Sequence, residues 1–574
     1  MVVVSSRHSG SLGRPSPIFV VAFSAIALVV VFVIVLTGGP PVEQQRAERF
    51  VAAWTRGDYP AMHAELTRAA RAARPLARFA AEYRQAASIA TATAFRAGEP
   101  RKLEHGIVRV PLTVSTRAFG EVRVTLRLPF AGDGDDARIA WSQNLTFPGV
   151  QRGQRLERSM RLPRRADILA RDGTPLAAGE ERGSPLGAAA TAIAGQLGPP
   201  PAERVARLRE LGVPDDAQVG LTGLERIFQE DVAGRPGGTL RAGAHVLAQS
   251  TPRAAPAVRS SIDPQVQRAA VEALGALPGG IAVLRPHTGE ILGLAGAAFS
   301  SLQPPGSTFK MVTLSGALEN RLASQHSTYP AQTSASLEGV EVKNANGESC
   351  GGTLRLSFAH SCNSVFAPLG ARLGPGRLVK AAEAFGFNQD LGIPGAATST
   401  IPRADEIGDA LAVGSSAIGQ GRVQATALQM AWVAATIAAG GRRMALTLRA
   451  DARPRPKRVL RAATARIVRS YMESVVQVGT GVAAAIPGVR VAGKTGTAEL
   501  KSTSQPDCTP APEVECPAPE PDDPTDTDAW FAAFAPAGRP RIAVGVLLIA
   551  NGVGGDTAAP VARQVLTASL KATG

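Results

Sequence analysis

One short stretch decides how this sequence is interpreted: Pro304-Pro305-Gly306-Ser307-Thr308-Phe309-Lys310. The Pro-Pro-Gly run ends any preceding element, so we expect a helix to begin near Ser307. Residues i and i+3 share one face of a helix, and the Ser307 hydroxyl can therefore lie close to the Lys310 amine. A serine needs a base to become a good nucleophile, and a lysine is such a base once its pKa is lowered. This spacing alone is a weak signal, because a solvated helix start has it too.

Length and composition indicate a multidomain globular protein. The chain has 574 residues, 45% apolar and 19% charged, which is enough for roughly two to four domains. Its net charge of +15 comes mostly from arginine. Together with the many Ala, Gly and Pro residues, this is typical of a GC-rich genome, and we expect an actinobacterial source. A basic chain suits an anionic membrane or cell wall as well as nucleic acid. Zinc-finger spacings and interleaved aromatic and basic residues are missing, so we expect no nucleic-acid partner, metal ion or cofactor.

The N-terminal region predicts a membrane anchor. Ile18–Leu36 is a nearly unbroken apolar run of 19 residues, which is long enough to cross a bilayer. Arg7 and Arg14 precede it, so residues 1–17 should form a cytoplasmic tail and the rest of the chain should be extracytoplasmic. A cleaved signal peptide is the alternative, but its apolar region would usually be shorter and followed by an A-x-A-like site. We therefore expect a single-pass protein of the cell membrane with a transmembrane helix at 18–36.

Residues 41–148 predict a small α+β domain. Apolar residues recur at helical spacing before Gly57, and Pro75 should kink or split a second helical stretch at roughly 69–90. Alternating apolar residues then predict antiparallel strands around a turn at Phe119-Gly120. The periodic residues are Ala47, Phe50, Val51 and Trp54 in the helix, and Val108, Val110, Leu112, Val114, Val122, Val124, Leu126 and Leu128 in the strands, with a third strand starting at Ile139.

Residues 149–257 are polar and interrupted by Gly and Pro. The segment Arg164–Ala177 predicts a strand, a turn at Asp172-Gly173 and a second strand. A further apolar phrase, Gly220–Phe228, leads towards Leu240. We expect a β-rich domain here, and an extended linker without a fold of its own is the alternative.

The region from residue 258 leads into the opening stretch. We expect a helix from Gln265 to Leu277, and the apolar runs Ile281–Leu284 and Glu290–Leu294 predict a hairpin. This hairpin ends shortly before Ser307. A nucleophile placed where strands give way to a helix has its reactive side chain exposed.

Two later triplets give the opening stretch its context. Ser361-Cys362-Asn363 is an S-x-N triplet 54 residues after Ser307, in an apolar context that predicts helix from 356 to 367. Lys494-Thr495-Gly496-Thr497 lies another 133 residues along and contains the only K-T-G in the chain. Three motifs in this order are far more specific than any one of them.

This set resembles the S-x-x-K, S-x-N and K-T-G motifs of penicillin-binding proteins and β-lactamases. Residues 258–574 are similar to a penicillin-binding transpeptidase domain, which has an antiparallel sheet flanked by helices. Further phrases that carry the resemblance are Ala417–Gly421, Thr426–Ala431, Gly479–Gly481 and Asp528–Pro536.

The resemblance extends to the preceding segments. The phrase Phe50–Tyr59 is similar to the nuclear-transport-factor-like cone of MecA-type penicillin-binding proteins, and this implies such a domain at 41–148. Arg164–Ala177 and Gly220–Phe228 resemble the pedestal (dimerisation) domain of class B proteins, implied here at 149–257. The expected fold class is multidomain α+β: a transmembrane helix, a cone-like domain, a β-rich pedestal and a serine transpeptidase domain. We expect no glycosyltransferase domain, as in the monofunctional class.

The resemblance implies catalytic roles for four residues. Ser307 would be the nucleophile that attacks the carbonyl between two D-Ala residues. Lys310 would be its base, and Lys494 and Ser361 would tune that base and pass a proton to the leaving group.

It also implies residues that bind substrate. Asn363 would bond the substrate amide, and Thr495 and Thr497 would hold the terminal carboxylate, with Gly496 between them. The backbone N–H groups of Ser307 and Thr497 would form the oxyanion hole.

The four cysteines fall into two close pairs, Cys350 with Cys362 and Cys508 with Cys516. Two local disulfides are possible in an oxidising compartment, and free thiols are the alternative. The second pair lies in a Pro- and acid-rich insertion, 499–527, where the family commonly has a hairpin. The insertion could shape the mouth of the site or meet a partner, or it could be an exposed insert without a role.

The expected function is a membrane-anchored D,D-transpeptidase that cross-links peptidoglycan stem peptides ending in D-Ala-D-Ala and is acylated by β-lactams. Glycosyltransferase, division or elongation proteins are its expected partners. Two alternatives remain open. One is a β-lactamase or D,D-carboxypeptidase on the same fold, and the other is a non-catalytic penicillin-binding sensor or scaffold.

Overall fold

The structure is a computed structural model that describes residues 40–500 and 526–574. The transmembrane helix predicted at 18–36 lies outside these residues, as do Cys508 and Cys516, so these remain predictions. Within the described part of the chain, no helix is both long and apolar enough to span a bilayer.

The chain divides into two compact units, which are described separately. One unit comprises the described residues up to Leu162 together with Ala202–Asp215 and Arg235–Arg253. The other comprises Pro163–Pro201, Asp216–Gly234 and Ala254–Gly574. Segment 149–257, for which the sequence predicts one pedestal domain, therefore contributes residues to both units.

The N-terminal region forms four helices followed by strands. The elements are α1 (Val42–Arg56), α2 (Tyr59–Ala64), α3 (Arg68–Ala73), α4 (Leu76–Ile89), β1 (Ala92–Ala97), β2 (Arg101–Glu104), β3 (Ile107–Thr116), β4 (Gly120–Ala131), β5 (Arg138–Ile139) and β6 (Leu156–Arg161). As predicted, Gly57 ends α1 in the left-handed conformation, and Pro75 separates α3 from α4. β3 and β4 pair antiparallel along their length. The strands β1 and β2 were not predicted, because neither shows a clean alternation of apolar and polar residues.

Aromatic side chains fill the space between these helices and the sheet. The rings of Trp54 and Tyr83 are 5.0 Å apart, and those of Phe79 and Tyr83 are 4.8 Å apart. The buried Tyr83 hydroxyl accepts from Trp141 Nε1 and donates to the Leu145 carbonyl oxygen, each at 3.1 Å. This packing fits a structural core more closely than a ligand site.

The middle of the chain is built from short elements. They are β7 (Ile168–Leu169), β8 (Pro175–Ala177), α5 (Ala188–Ala194), β9 (Leu197–Gly198), α6 (Ala202–Glu210), β10 (Val219–Gly220), α7 (Gly223–Ile227), α8 (Gln229–Val232), β11 (Gly237–Ala242), β12 (His245–Ser250) and β13 (Val258–Arg259). β7 and β8 pair antiparallel around the predicted turn at Asp172-Gly173. β6, β11 and β12 form a three-stranded sheet within the first unit. In the second unit, the buried Glu225 carboxylate pairs with Arg165 and Arg182.

The remainder of the chain forms the helices and strands that hold the three sequence motifs. They are α9 (Pro264–Leu274), β14 (Gly279–Leu284), β15 (Ile291–Gly296), α10 (Lys310–Glu319), β16 (Thr328–Gln332), β17 (Ser334–Leu337), β18 (Val340–Lys343), β19 (Cys350–Thr353), α11 (Leu354–Ala359), α12 (Asn363–Leu373), α13 (Pro375–Ala384), α14 (Ala410–Ala417), α15 (Ala427–Ala438), β20 (Arg442–Arg443), β21 (Lys457–Arg458), α16 (Ala462–Val478), β22 (Ala492–Glu499), β23 (Thr527–Ala535), β24 (Ile542–Leu548) and α17 (Ala558–Ala572).

A five-stranded antiparallel sheet is the centre of this region. Its strand order is β15-β14-β24-β23-β22, so β22 is an edge strand. Successive residues face opposite sides of a strand. Ile281 and Val283 join a core cluster with α9 and α17, whereas Ala282 and Leu284 join a cluster with α10 and α15. The predicted hairpin and helix-flanked sheet are thus present, with helices covering both faces.

Close contact between the sheet and α15 gives a test of this packing. A Cβ atom on Gly545 in β24 would lie 2.1 Å from the Ala427 carbonyl oxygen. Gly545→Ala should therefore destabilise the fold by about 1–3 kcal/mol through overpacking. Denaturant unfolding of the purified protein would measure this change. The matched control is Gly538→Ala, because a Cβ there meets no atom within 4 Å. Equal stabilities of the two variants would contradict the described packing.

Candidate active site

The predicted nucleophile lies on a tight turn that packs directly against the edge strand. A 3₁₀ turn at Gly306–Phe309 leads into α10. Gly306 has a φ of +50°, and a Cβ atom there would lie 2.4 Å from the Thr497 carbonyl oxygen. Likewise, a Cβ atom on Gly496 would lie 2.7 Å from the Pro305 carbonyl oxygen. These two glycines let the turn that carries Ser307 lie against β22 beside Thr497.

The S-x-N triplet occupies the break between two helices. The sequence predicts helix from 356 to 367, but α11 ends at Ala359 and α12 begins at Asn363. Ser361 has a φ of +61°, a left-handed conformation that ends the first helix. The run His360-Ser361-Cys362-Asn363-Ser364 interrupts the apolar residues and is a local sign of this break. Cys362 forms a disulfide with Cys350, with their Cα atoms 5.5 Å apart.

The Lys310 amine is the meeting point of the first two motifs. Its Nζ lies 2.6 Å from the Ser361 carbonyl oxygen, 2.6 Å from Asn363 Oδ1 and 3.2 Å from Ser361 Oγ. Carbonyl and amide oxygens can only accept, so they take both N–H groups of a neutral amine. The amine lone pair then remains for a hydroxyl proton. This arrangement suits a lysine that acts as a base.

Burial and a second lysine keep the pKa of Lys310 low. Lys310 and Lys494 are both 0% exposed. Burial, followed by the positive charge of Lys494, lowers the pKa of Lys310 well below its ordinary value. Its carbonyl acceptors favour the charged form, but the loss of hydration at a fully buried amine outweighs them. Burial also lowers the pKa of Lys494, to about 7.

The groups around the two amines differ in exposure. Ser307, Ser361, Asn363 and Thr497 are all partly exposed, whereas the lysines beneath them are buried. Among the described residues, no hydrogen bond reaches the Ser307 hydroxyl. The expected pairing of this hydroxyl with Lys310 is thus replaced by bonds from Lys310 to Ser361 and Asn363.

Thr480 adjoins the site, although the sequence analysis predicts no role for it. Its hydroxyl lies 2.6 Å from Thr495 Oγ1, and its N–H donates to the Ala359 carbonyl oxygen at 3.1 Å. Lys494 Nζ lies 3.4 Å from the same Thr495 hydroxyl. The glycine–threonine–glycine phrase marks the position, but only the fold shows that it adjoins the K-T-G strand.

Known proteins share the sequence and the fold of this region. Residues 279–567 match the family described as "Penicillin binding protein transpeptidase domain". The chain belongs to this family. It is 32% identical over 385 residues to a protein of Mycolicibacterium smegmatis named "Peptidoglycan D,D-transpeptidase PbpA". That match covers 55% of this chain and 72% of the relative.

Solved structures agree with this assignment. One is the D,D-transpeptidase domain of a peptidoglycan glycosyltransferase from Eggerthella lenta, with a TM-score of 0.56 and 27% identity. The match covers 71% of this chain and 99% of that structure. Another is penicillin-binding protein A from M. tuberculosis as a ceftriaxone acyl-enzyme complex, with a TM-score of 0.55 and 26% identity. That match covers 71% of this chain and 98% of the other.

The lysine pair makes the pH dependence of this transpeptidase domain testable. We predict that Lys310 is the base, so the acylation rate should fall as the pH drops through the pKa of Lys310. Lys494→Met removes the positive charge that helps to lower this pKa, so the acid limb of the profile should move to a higher pH. The measurement is the second-order rate constant for acylation by a chromogenic β-lactam from acid through neutral to alkaline pH. If the acid limb lay at the same pH in Lys494→Met and in the wild type, the effect of Lys494 on the pKa of Lys310 would be contradicted.

The same variant has an expected effect on stability. A lysine whose pKa is lower in the folded state binds fewer protons there than in the unfolded chain. Such a lysine therefore lowers the free energy of unfolding. The loss is largest below the folded pKa, about 7 for Lys494, and fades as the pH rises towards the pKa in the unfolded chain. Lys494→Met should raise the melting temperature most at neutral or lower pH.

Close approach at Gly306 predicts a separate loss of activity. In Gly306→Ala, the added Cβ would push the Ser307 turn away from Thr497. Loss of one oxyanion donor slows reactions by about 100-fold or more, and we expect a similar fall in acylation rate. Gly376→Ala is the control, since a Cβ there meets no atom within 4 Å. If Gly306→Ala were acylated at the wild-type rate, the close approach of Gly306 to Thr497 would not be needed to position Ser307.

Proposed function

We propose that this protein is a serine-type D,D-transpeptidase that cross-links peptidoglycan stem peptides and is acylated by β-lactams at Ser307. The observation that carries the proposal is the buried Lys310 amine, held by Ser361 and Asn363 next to Lys494. The printed name of the M. smegmatis relative and the β-lactam acyl-enzyme complex of the M. tuberculosis protein support it.

Acylation begins with transfer of the Ser307 proton to Lys310. The Ser307 oxygen attacks the carbonyl carbon of the D-Ala–D-Ala bond, and the C–N bond of that peptide breaks. The leaving amine takes a proton, which Ser361 Oγ relays from the Lys310 amine that lies 3.2 Å away. An acceptor amine then attacks the Ser307 ester and restores the serine hydroxyl. In a β-lactam the broken amide is part of the ring, so the leaving group stays attached.

Hydrogen-bond donors near Ser307 and on the edge strand β22 would bind the substrate. Ser307 lies in the first turn of its helix, where N–H groups lack intrahelical partners. Its N–H and that of Thr497 would bind the developing oxyanion. Asn363 Nδ2 donates to the Lys343 carbonyl oxygen at 2.9 Å, and its second N–H would bind the substrate amide. Thr495 and Thr497 would hold the substrate carboxylate.

The exposed edge of the sheet supports binding of an extended peptide. β22 pairs with β23 on one side only, so alternate backbone groups of β22 are left for another strand. A stem peptide would add to this edge beside Ser307.

The remaining regions would place the reaction outside the membrane. We propose that 18–36 anchors the chain, that 41–148 is a cone-like spacer and that 149–257 is the pedestal. The five-stranded sheet and packed aromatic residues of the N-terminal region support the second assignment. A single-pass protein of this kind would work with a glycosyltransferase that supplies the glycan strands.

The Cys350–Cys362 disulfide would stabilise the S-x-N turn in an extracytoplasmic compartment. It closes a loop with a sequence separation of 12, so its effect on folding comes mainly from restricting the unfolded chain. Cys362 lies between Ser361 and Asn363, which both bond Lys310. The covalent bond therefore restrains the backbone that presents these acceptors.

Mass spectrometry of the protein with penicillin tests the proposal. We expect one long-lived adduct on Ser307, its complete loss in Ser307→Ala, and its retention in the control Ser301→Ala. Stem peptide and acceptor should then give a cross-linked product. Rapid penicillin hydrolysis would instead indicate a β-lactamase. Release of D-Ala without cross-linking would indicate a carboxypeptidase, and acylation without any peptide product a sensor.

A further inference from the structure

The helix that carries Asn363 is capped from outside its own sequence. The N-cap position of α12 is Cys362, whose side chain makes no capping hydrogen bond and is part of the disulfide. An N-cap side chain ordinarily accepts from the N–H of the second or third helical residue. Here the N–H of Ser364, the second residue, donates to Asn344 Oδ1 at 2.8 Å. The cap is thus supplied by a residue 20 positions earlier.

Asn344 is held rigidly in this role. It is 6% exposed, and its Nδ2 donates to the Gln332 carbonyl oxygen at 2.7 Å and to the Glu348 carbonyl oxygen at 2.9 Å. Its N–H donates to the Thr333 carbonyl oxygen at 2.8 Å. One acceptor and two donors of the side chain are therefore engaged, which is what a buried amide requires. The side chain joins its own loop to the start of α12.

A neighbouring contact links this cap to the base. The carbonyl oxygen of Lys343 accepts from Asn363 Nδ2 at 2.9 Å, and Asn363 Oδ1 accepts from Lys310 Nζ at 2.6 Å. Residues 343 and 344 thus hold both the side chain of the first helical residue and the backbone of the second. A shift at this helix start moves an acceptor that orients the Lys310 lone pair.

We propose that Asn344 is a positioning residue for acylation, acting on Lys310 through Asn363. The inference rests on the proposed function, because it assumes that Lys310 activates Ser307. Asn344 touches neither the nucleophile nor the substrate carbonyl in this scheme. Its contribution is to hold the first turn of α12 where Asn363 meets the amine.

A double-mutant cycle separates this role from a general effect on folding. Asn344→Ala and Asn344→Ser are made in the wild-type chain and in Asn363→Ala, and acylation by a fluorescent penicillin is timed. In the wild-type background we expect Asn344→Ala to slow acylation about tenfold, and in the Asn363→Ala background less than about threefold, because coupled residues are non-additive. Asn344→Ser keeps a hydroxyl acceptor and more of the packing, and it should show the same coupling.

The matched control removes a different helix cap. Asp263 Oδ1 accepts from the N–H groups of Gln265 and Val266 at the start of α9. Asp263→Ala should lower the melting temperature without slowing acylation in either background.

Two results would overturn the inference. One is an equal slowing by the Asn344 variants in both backgrounds, and the other is wild-type acylation by folded Asn344→Ala. Failure of the wild-type protein to be acylated at Ser307 would instead overturn the proposed function.

Discussion

The amine of Lys310 must stay out of water while its N–H groups remain bonded, and the site is built around this requirement. Burial alone would lower the pKa of Lys310 but leave its donors unsatisfied. The Ser361 carbonyl and Asn363 Oδ1, both at 2.6 Å, solve this problem. They bind the N–H groups and leave the lone pair for a hydroxyl proton. Lys494, also fully buried, adds a positive charge that lowers the pKa further.

The features that prepare the site for catalysis also lower the free energy of unfolding. The left-handed Ser361 costs about 1–3 kcal/mol, and each buried lysine opposes folding below its unfolded pKa. The surrounding structure offsets these costs through the disulfide, the outside cap on α12 and a sheet buried on both faces. Aromatic rings also lie next to the two amines and help to keep water away from them. The Phe366 ring centre lies 5.8 Å from Lys310 Nζ, and the Phe358 ring centre lies 5.6 Å from Lys494 Nζ.

Prediction from sequence worked where the signal is local. Pro75 splits a helix wherever that helix lies, because its ring blocks an internal hydrogen bond. The hairpin before Ser307 follows from two apolar runs and a short turn between them. Prediction failed where the local signal is weak: β1 and β2 lack an alternating pattern, and the helix predicted at 356–367 overlooks the short polar run 360–364.

The sequence by itself determined which residues are the candidates for the site. Ser307, Lys310, Ser361, Asn363 and the K-T-G strand were identified from their order and residue types, and the family match covers them. Only the tertiary structure decided which acceptors Lys310 bonds, that Thr480 bonds Thr495, and that Asn344 caps the helix of Asn363. The physical reason is that a hydrogen bond depends on distance and direction between atoms far apart in the chain. Neither quantity is encoded in the spacing of a motif.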